Sequence, residues 1–160
     1  MDRLTPQQRS ALMSRIRGKD TGPELRVRRI AHAAGYRYRL HGQLARAAAA
    51  AARRAAPDVR LAGGKLPGKP DLVFAFRRKV VFVNGCFWHQ HDCPAGRRAP
   101  SSNAEFWRAK REGNAARDLR HSAALSTLGW DSLTVWECEL ADPDRVLRSL
   151  AAFLGPTANP

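Results

Sequence analysis

The sequence predicts an α/β domain with a central mixed β-sheet flanked by helices, and three observations predict it. Short apolar runs with strand character, PDLVFAF, VVFV and DSLTVW, alternate with longer stretches of helical period. A basic turn, Arg77-Arg78-Lys79, joins the first two runs as a hairpin. Each helical stretch carries its own start and stop residues. At 160 residues the chain is long enough for one domain with a real core, set here at residues 1–155 with a flexible tail over 156–160.

Taken in order, Thr5-Pro6-Gln7-Gln8 opens a helix over residues 5–17, with Thr5 as cap, Pro6 in the first turn and Gln8 at capping-box spacing; Gly18 ends it. A second helix starts at Thr21, with Pro23 and Glu24 in its first turn, and ends near Gly35. Tyr36-Arg37-Tyr38-Arg39-Leu40 alternates with period two and reads as a strand. The segment over about 43–64, QLARAAAAAARRAAPDVRLAGG, is low in complexity and has no large apolar stripe to pin it to a core. It reads as a surface insertion, either a tolerated loop or a basic arm for phosphate. Strands follow at 70–76 and 80–83, the second apolar at four positions in a row and therefore buried on both faces. A loop over 84–101 leads to a helix over about 102–128, closed by Gly129. A strand at 131–136 and a last helix from Asp142-Pro143-Asp144 to about Phe153 complete the chain.

Lys and Arg number 28 against 14 Asp and Glu, a formal net charge of +14. Such an excess points to a polyanionic partner, nucleic acid before an acidic membrane surface. No apolar run approaches the ~20 residues of a membrane span. The N-terminus is polar and lacks the apolar segment of a signal peptide, so the expected compartment is the cytoplasm, where disulfides are uncommon.

All three cysteines are accounted for by one metal site. Cys86, His91 and Cys93 lie in the loop GCFWHQHDC, and Cys138 follows the last strand, which can return to the same sheet edge. Four ligands of Cys₃His type make a closed, structural zinc site; the alternative is three ordinary thiols. Phe87 and Trp88 sit between the ligands, where a pinned loop would present them to bases or pack them beneath itself. Asp71 opens the 70–76 strand, so a hairpin sets it beside Val83 and Asn84. A carboxylate beside free strand-end carbonyls can hold Mg²⁺. His89 is then the candidate general base for an attacking water. On the long helix, Trp107, Asn114, Asp118 and His121 fall on one stripe, facing solvent or a site. Phe106, Ala109, Gly113 and Ala116 form a small-residue stripe suited to packing on the sheet.

Four blocks carry a resemblance: LPGKPDLVF, VVFVNGCFWHQHDCP, NAEFWRAKREGNAARD and GWDSLTVWECEL, with MSRIRGKDTGPELRVR at the start. Together they resemble the very-short-patch mismatch repair endonucleases over nearly the whole chain apart from the Ala/Arg insertion. The resemblance implies a bacterial enzyme of the restriction-endonuclease-like, three-layer PD-(D/E)xK-type fold. It implies nicking of DNA 5′ to the thymine of a T:G mismatch left by deamination of 5-methylcytosine. It also implies Mg²⁺ on Asp71 and the Val83 carbonyl, His89 as general base, Glu24 and Asp118 as acidic residues of the active centre, and structural zinc on Cys86, His91, Cys93 and Cys138. Phe87, Trp88 and Trp107 match the family's aromatic wedge, Asn114 a DNA-contacting position, and Met13 a residue of an N-terminal helix reaching the opposite groove. Mismatch-repair proteins and a cytosine methyltransferase are the implied partners, and a monomer suffices to nick one strand. Two positions depart from the pattern. Val83 stands where some members have Thr. Asn84 stands where many have a second His, which leaves open whether Asp118 has a histidine partner. Within the bare residue pattern, a nuclease of the same fold with another DNA target and a non-catalytic zinc-stabilised DNA-binding module are the competing readings.

Overall fold

The computed structural model describes residues 7–8, 18–98, 100 and 103–157. Gln7 and Gln8 are helical, as the cap pattern predicts; the rest of the expected 5–17 helix, with Met13, lies outside the described residues. Helix α1, Gly22–Ala33, starts where expected. The Thr21 side chain accepts from the Glu24 amide, and the Thr21 hydroxyl donates to Glu24 Oε1 at 2.9 Å.

Four strands form one sheet in the order β1-β2-β3-β4: β1 Arg39–Leu40, β2 Leu72–Phe74, β3 Lys79–Asn84 and β4 Asp131–Trp136. The first three are antiparallel, and β3 and β4 run parallel, so the sheet is mixed. β1 is shorter than the alternation of 36–40 predicts. Tyr36 and Tyr38 instead send their hydroxyls to the carbonyls of Gly155 (2.7 Å) and Arg28 (3.0 Å), anchoring the approach to the strand by side chains. β2 stops at Phe74 because Ala75–Arg77 winds into a 3₁₀ turn closed by Arg78 in the left-handed region (φ 52°).

The sheet has a core on each face. Val80 and Val81, neighbours in β3, are both fully buried and belong to opposite cores. On one face α1 and the last helix, α4 (Pro143–Leu154), cover Leu72, Phe74, Val81 and Val135 with Val27, Ala31, Val146, Leu150 and Leu154. On the other, Val73 and Val80 meet Leu125, Leu128 and Trp130 from the long helix α3 (Ala104–Thr127) and its exit, together with Ala52, Ala56, Leu61 and Leu66.

Three of these, Ala52, Ala56 and Leu61, overturn the expectation that nothing pins the Ala/Arg segment. Arg46–Ala55 is a helix, α2, and Ala49 and Ala52 are buried on it. Alanine makes the close approach possible: a helix whose inner face ends at Cβ can lie near the sheet without a large side chain to fill a gap. Gln43 and Lys65 pair across the base of the excursion. The expected packing face of α3 is also reversed. Phe106 is 58 % exposed, and Ala109, Gly113 and Ala116 are exposed with it, whereas Trp107, Asn114 and Leu125 are buried. Trp107, Asn114 and Leu125 share one helical face, and the Leu125–Leu128–Trp130 anchor decides which face that is.

Because α2 is packed, Ala52→Glu, which buries an unpaired charge, is expected to destabilise the fold by about 2–4 kcal/mol in urea unfolding. Ala51→Glu, on the exposed side of the same turn, is expected to stay within about 0.5 kcal/mol of wild type.

Candidate active site and metal centre

Asp71 lies at the entrance to β2, and the β2–β3 hairpin puts its carboxylate on the neighbouring strand. Oδ2 accepts from the Val83 N–H at 2.7 Å. Burial pushes the Asp71 carboxyl up to about 6, with the negative charge of Glu24 adding to the rise and the Val83 N–H opposing it. Glu24 reaches the same place from the first turn of α1. Its carboxylate accepts from the Thr21 hydroxyl, the Asp20 amide (2.8 Å) and Arg28 Nη2 (3.1 Å), so its orientation is over-determined. A third residue, His41, completes this group. Glu24, His41 and Asp71 each bring one donor atom within 4.8 Å of the others. His41 was not among the residues predicted from the sequence. Its only signal is its place just after β1, in a His-Gly turn that runs back along Pro70 and Asp71.

His89 and Asp118, the other two residues expected at the active centre, are paired with each other. His89 Nδ1 and Asp118 Oδ2 are 2.5 Å apart, which gives Asp118 the histidine partner left open at Asn84. The same stripe of α3 holds the loop at a second point, where Asn114 Nδ2 donates to the Trp88 carbonyl at 2.9 Å. Asn114 is 8 % exposed, and part of its hydrogen-bonding capacity is spent on this loop. The two acidic segments approach one another through His121, whose ring lies against Gly68, where an added Cβ would stand 3.0 Å from Nδ1. Gly68 lies three residues before Asp71 and His121 one helical turn after Asp118, so this contact packs α3 against the segment that leads into β2.

Cys86, His91, Cys93 and Cys138 gather as the spacing predicts, with their donor atoms all within 4.8 Å of one another. Cys138 Sγ lies 3.4 Å from His91 Nδ1, and the His91 ring stacks on Trp136 at 4.3 Å between centroids. The loop is wound tightly around these ligands. A Cβ on Gly96 would fall 2.0 Å from the His91 carbonyl oxygen, so only glycine fits, and its amide donates to Cys93 Sγ at 3.3 Å. Burial pushes the Cys86 thiol up to about 12, while the Gly96 amide draws Cys93 down to about 7. A thiol as buried as Cys86 becomes a thiolate only beside a cation, and a metal ion is the cation that three sulfurs and an imidazole select. The donor set therefore fits a four-coordinate metal.

Phe87, Trp88 and Trp107 form one aromatic cluster, with centroids 5.1–5.8 Å apart. Trp107 is 8 % exposed, not the exposed ring the stripe suggested, because Phe87 and Trp88 lean on it. Those two stay half-buried at the surface, with Lys110 Nζ 5.6 Å from the Trp88 centroid and Arg111 4.9 Å from that of Phe87. Basic groups thus ring the aromatic patch.

The raised Asp71 carboxyl fixes a sign for the pH dependence. The folded state holds this proton more tightly than the unfolded chain, so the associated stability is full below about pH 4 and is lost as pH rises through about 6. Asp71→Asn is accordingly expected to stabilise the metal-free protein at pH 7.5, by on the order of 2 kcal/mol, and to change little at pH 4. Thermal melts of both proteins at the two pH values check this.

A family model described as DNA mismatch endonuclease Vsr matches residues 1–48 and 54–95, more than half of the chain. A type II nicking enzyme of Xanthomonas oryzae pv. oryzae is 42 % identical over 156 residues, covering 98 % of each chain. A type II nicking enzyme of Neisseria meningitidis is 34 % identical over 139 residues, 87 % of this chain and 84 % of its own. The DNA mismatch endonuclease Vsr of Escherichia coli is 41 % identical over 87 residues, 54 % of this chain and 55 % of its own. The family's restriction-endonuclease-like fold accords with the four-stranded mixed sheet and its helical layers. On its similarity over nearly its whole length, the chain belongs to the DNA mismatch endonuclease Vsr family.

Proposed function

We propose that this chain nicks one strand of duplex DNA 5′ to the thymine of a T:G mismatch, the lesion left by deamination of 5-methylcytosine. Two observations carry the reading: the His89–Asp118 pair, and the buried Asp71 carboxylate oriented by the Val83 N–H. Asp118 accepts the Nδ1–H of His89, which leaves Nε2 as the free acceptor; His89 then takes a proton from the attacking water as general base. Asp71 and Glu24, with the Val83 carbonyl, would hold Mg²⁺. When bound, the ion would supply charge neutralisation at the scissile phosphate and would acidify the attacking water. Asp71 must give up its proton to serve, and the Val83 N–H keeps the carboxylate oriented when it does.

Zinc on Cys86, His91, Cys93 and Cys138 is structural in this reading. It clasps the loop that carries Phe87, Trp88 and His89 to the end of β4. Phe87 and Trp88, backed by Trp107, enter the helix beside the mismatch, where a wobble pair unstacks at least cost. Lys110, exposed beside Trp88, would meet a backbone phosphate flanking the wedge, while Arg111 braces the loop through the Gly96 and Arg98 carbonyls. The names of the relatives, nicking enzymes and a mismatch endonuclease, support single-strand cleavage and a mismatched substrate. Membership of an endonuclease family sets aside the non-catalytic module. Among the described residues no helix is long and apolar enough to cross a membrane, in keeping with action on DNA in the cytoplasm. A monomer working with mismatch-repair proteins and a cytosine methyltransferase completes the proposal.

The test is cleavage of two labelled duplexes that differ only in a T:G or C:G pair, in the presence of Mg²⁺. The expected result is a nick 5′ to the mismatched T alone, abolished in Asp71→Asn and slowed by ~10²–10⁴-fold in His89→Ala. Equal cutting of both duplexes would instead assign a nuclease with another DNA target. For the clasp, Cys138→Ser is expected to lower zinc content by elemental analysis and to lower the melting temperature; full zinc occupancy in this variant would remove Cys138 from the ligand set.

A further inference from the structure

We infer that His41 is a further side-chain ligand of the divalent ion held by Asp71 and Glu24, and that this imidazole makes the site bind Mn²⁺ more tightly than Mg²⁺. The inference deepens the metal assignment proposed above and rests on it.

Three observations carry it. The first is proximity: Glu24, His41 and Asp71 present one donor atom each, all within 4.8 Å of one another. The second is that the turn holding His41 is built for this placement. His41 sits in the left-handed region (φ 53°), and its amide faces the Asp71 carbonyl at 3.4 Å. Gly42 donates to the Pro70 carbonyl at 2.7 Å and has no room for a side chain, since a Cβ there would stand 2.9 Å from the Lys69 Cα. The backbone around His41 is therefore pinned directly to the backbone that carries Asp71. The third is charge. Asp20, Glu24 and Asp71 meet one guanidinium, Arg28, which bonds Asp20 Oδ1 (2.5 Å) and Glu24 Oε2 (3.1 Å). With the three carboxylates ionised, two negative charges remain, the charge of one divalent cation. His41 Nε2 also lies 3.5 Å from Asp20 Oδ1, so Asp20 is the neighbour that orients the ring.

Ligand chemistry then separates the ions. Mg²⁺ prefers carboxylate, carbonyl and water oxygens in a strict octahedron, whereas imidazole suits first-row transition ions better. Two carboxylates and one imidazole, with the Val83 carbonyl, make a mixed set that admits Mg²⁺ and holds Mn²⁺ more tightly.

The experiment uses the full-length, zinc-loaded protein and Mn²⁺ itself as the probe. Binding is followed by loss of the free-ion paramagnetic resonance signal, and the bound ion is examined for ¹⁴N modulation by pulsed methods. Wild type is expected to show ¹⁴N coupling and to bind Mn²⁺ at least ~10-fold tighter than Mg²⁺ in competition. His41→Asn, chosen because asparagine tolerates the left-handed backbone, is expected to lose the coupling and ~10-fold in Mn²⁺ affinity, with far less change for Mg²⁺. The coupling should persist in His89→Ala, and that variant with wild type decides the matter if His41→Asn does not fold. Absence of coupling in wild type, its survival in His41→Asn, or its loss in His89→Ala would each overturn the inference. Asp71→Asn separates the two levels. If it binds Mn²⁺ as wild type does, the metal assignment under the proposed function fails. If it loses Mn²⁺ while His41→Asn keeps both affinity and coupling, only the role of His41 fails.

Discussion

The parallel ladder between β3 and β4 is the constraint on which the rest of the site depends. Its six pairs run from Lys79↔Asp131 to Asn84↔Trp136, so both strands finish at the same edge of the sheet. From one end springs the loop with Cys86, His89, His91 and Cys93; from the other comes Cys138. A parallel pair needs a long crossover, and here α3 supplies it. The crossover is also the element that returns Asn114 and Asp118 to the loop it has just left. A single topological requirement thus brings together the Cys/His quartet, the aromatic cluster and the His–Asp pair.

The chain combines a large positive field with a small, buried knot of negative charge. The formal net charge of +14 works at long range and draws a polyanion toward the surface. Asp71 and Glu24 work at short range, and the charge of Glu24 raises the cost of ionising Asp71. Left to itself such a pair favours protonation, and a cation reverses that preference. The protein holds this pair rigid instead of letting it relax: Glu24 by Thr21, Asp20 and Arg28, Asp71 by the Val83 amide. Rigidity at a site of like charge is what a divalent ion needs in order to be bound without reorganisation.

Much of this was legible in the residues, and the reasons differ from element to element. β4 and α4 were placed almost to the residue because turn and cap residues bound them on both sides. The gathering of Cys86, His91, Cys93 and Cys138 was readable because cysteine and histidine in a short loop have few other uses. Asp71 beside Val83 followed from the hairpin register alone. What escaped was whatever depended on close packing of small or polar side chains. The alanine face of α2 carries no apolar signal larger than a methyl group, so its burial is invisible to periodicity. The stripe on α3 was assigned backwards for its small-residue face because Trp107 and Asn114 look like surface residues until the loop folds over them. His41 escaped because a turn residue next to a two-residue strand has no pattern of its own; only the tertiary pairing with Pro70 and Asp71 gives it a neighbourhood.

The bridge between Gln43 and Lys65 makes the Ala/Arg segment a closed detour that leaves and rejoins the sheet at the same point. The family model passes over residues 49–53, inside α2, while matching the chain on either side. Length can therefore change within the detour without shifting Gly42 or Pro70, the two residues that register the site. The cost of such a change falls elsewhere, on the apolar contacts that Ala52, Ala56 and Leu61 make with Val73, Val80 and Trp130. The architecture thus separates heredity's freedom from its risk: this stretch can be lengthened, trimmed or exchanged as a cassette, and selection on it acts through solubility and lifetime of the protein before it acts through the reaction.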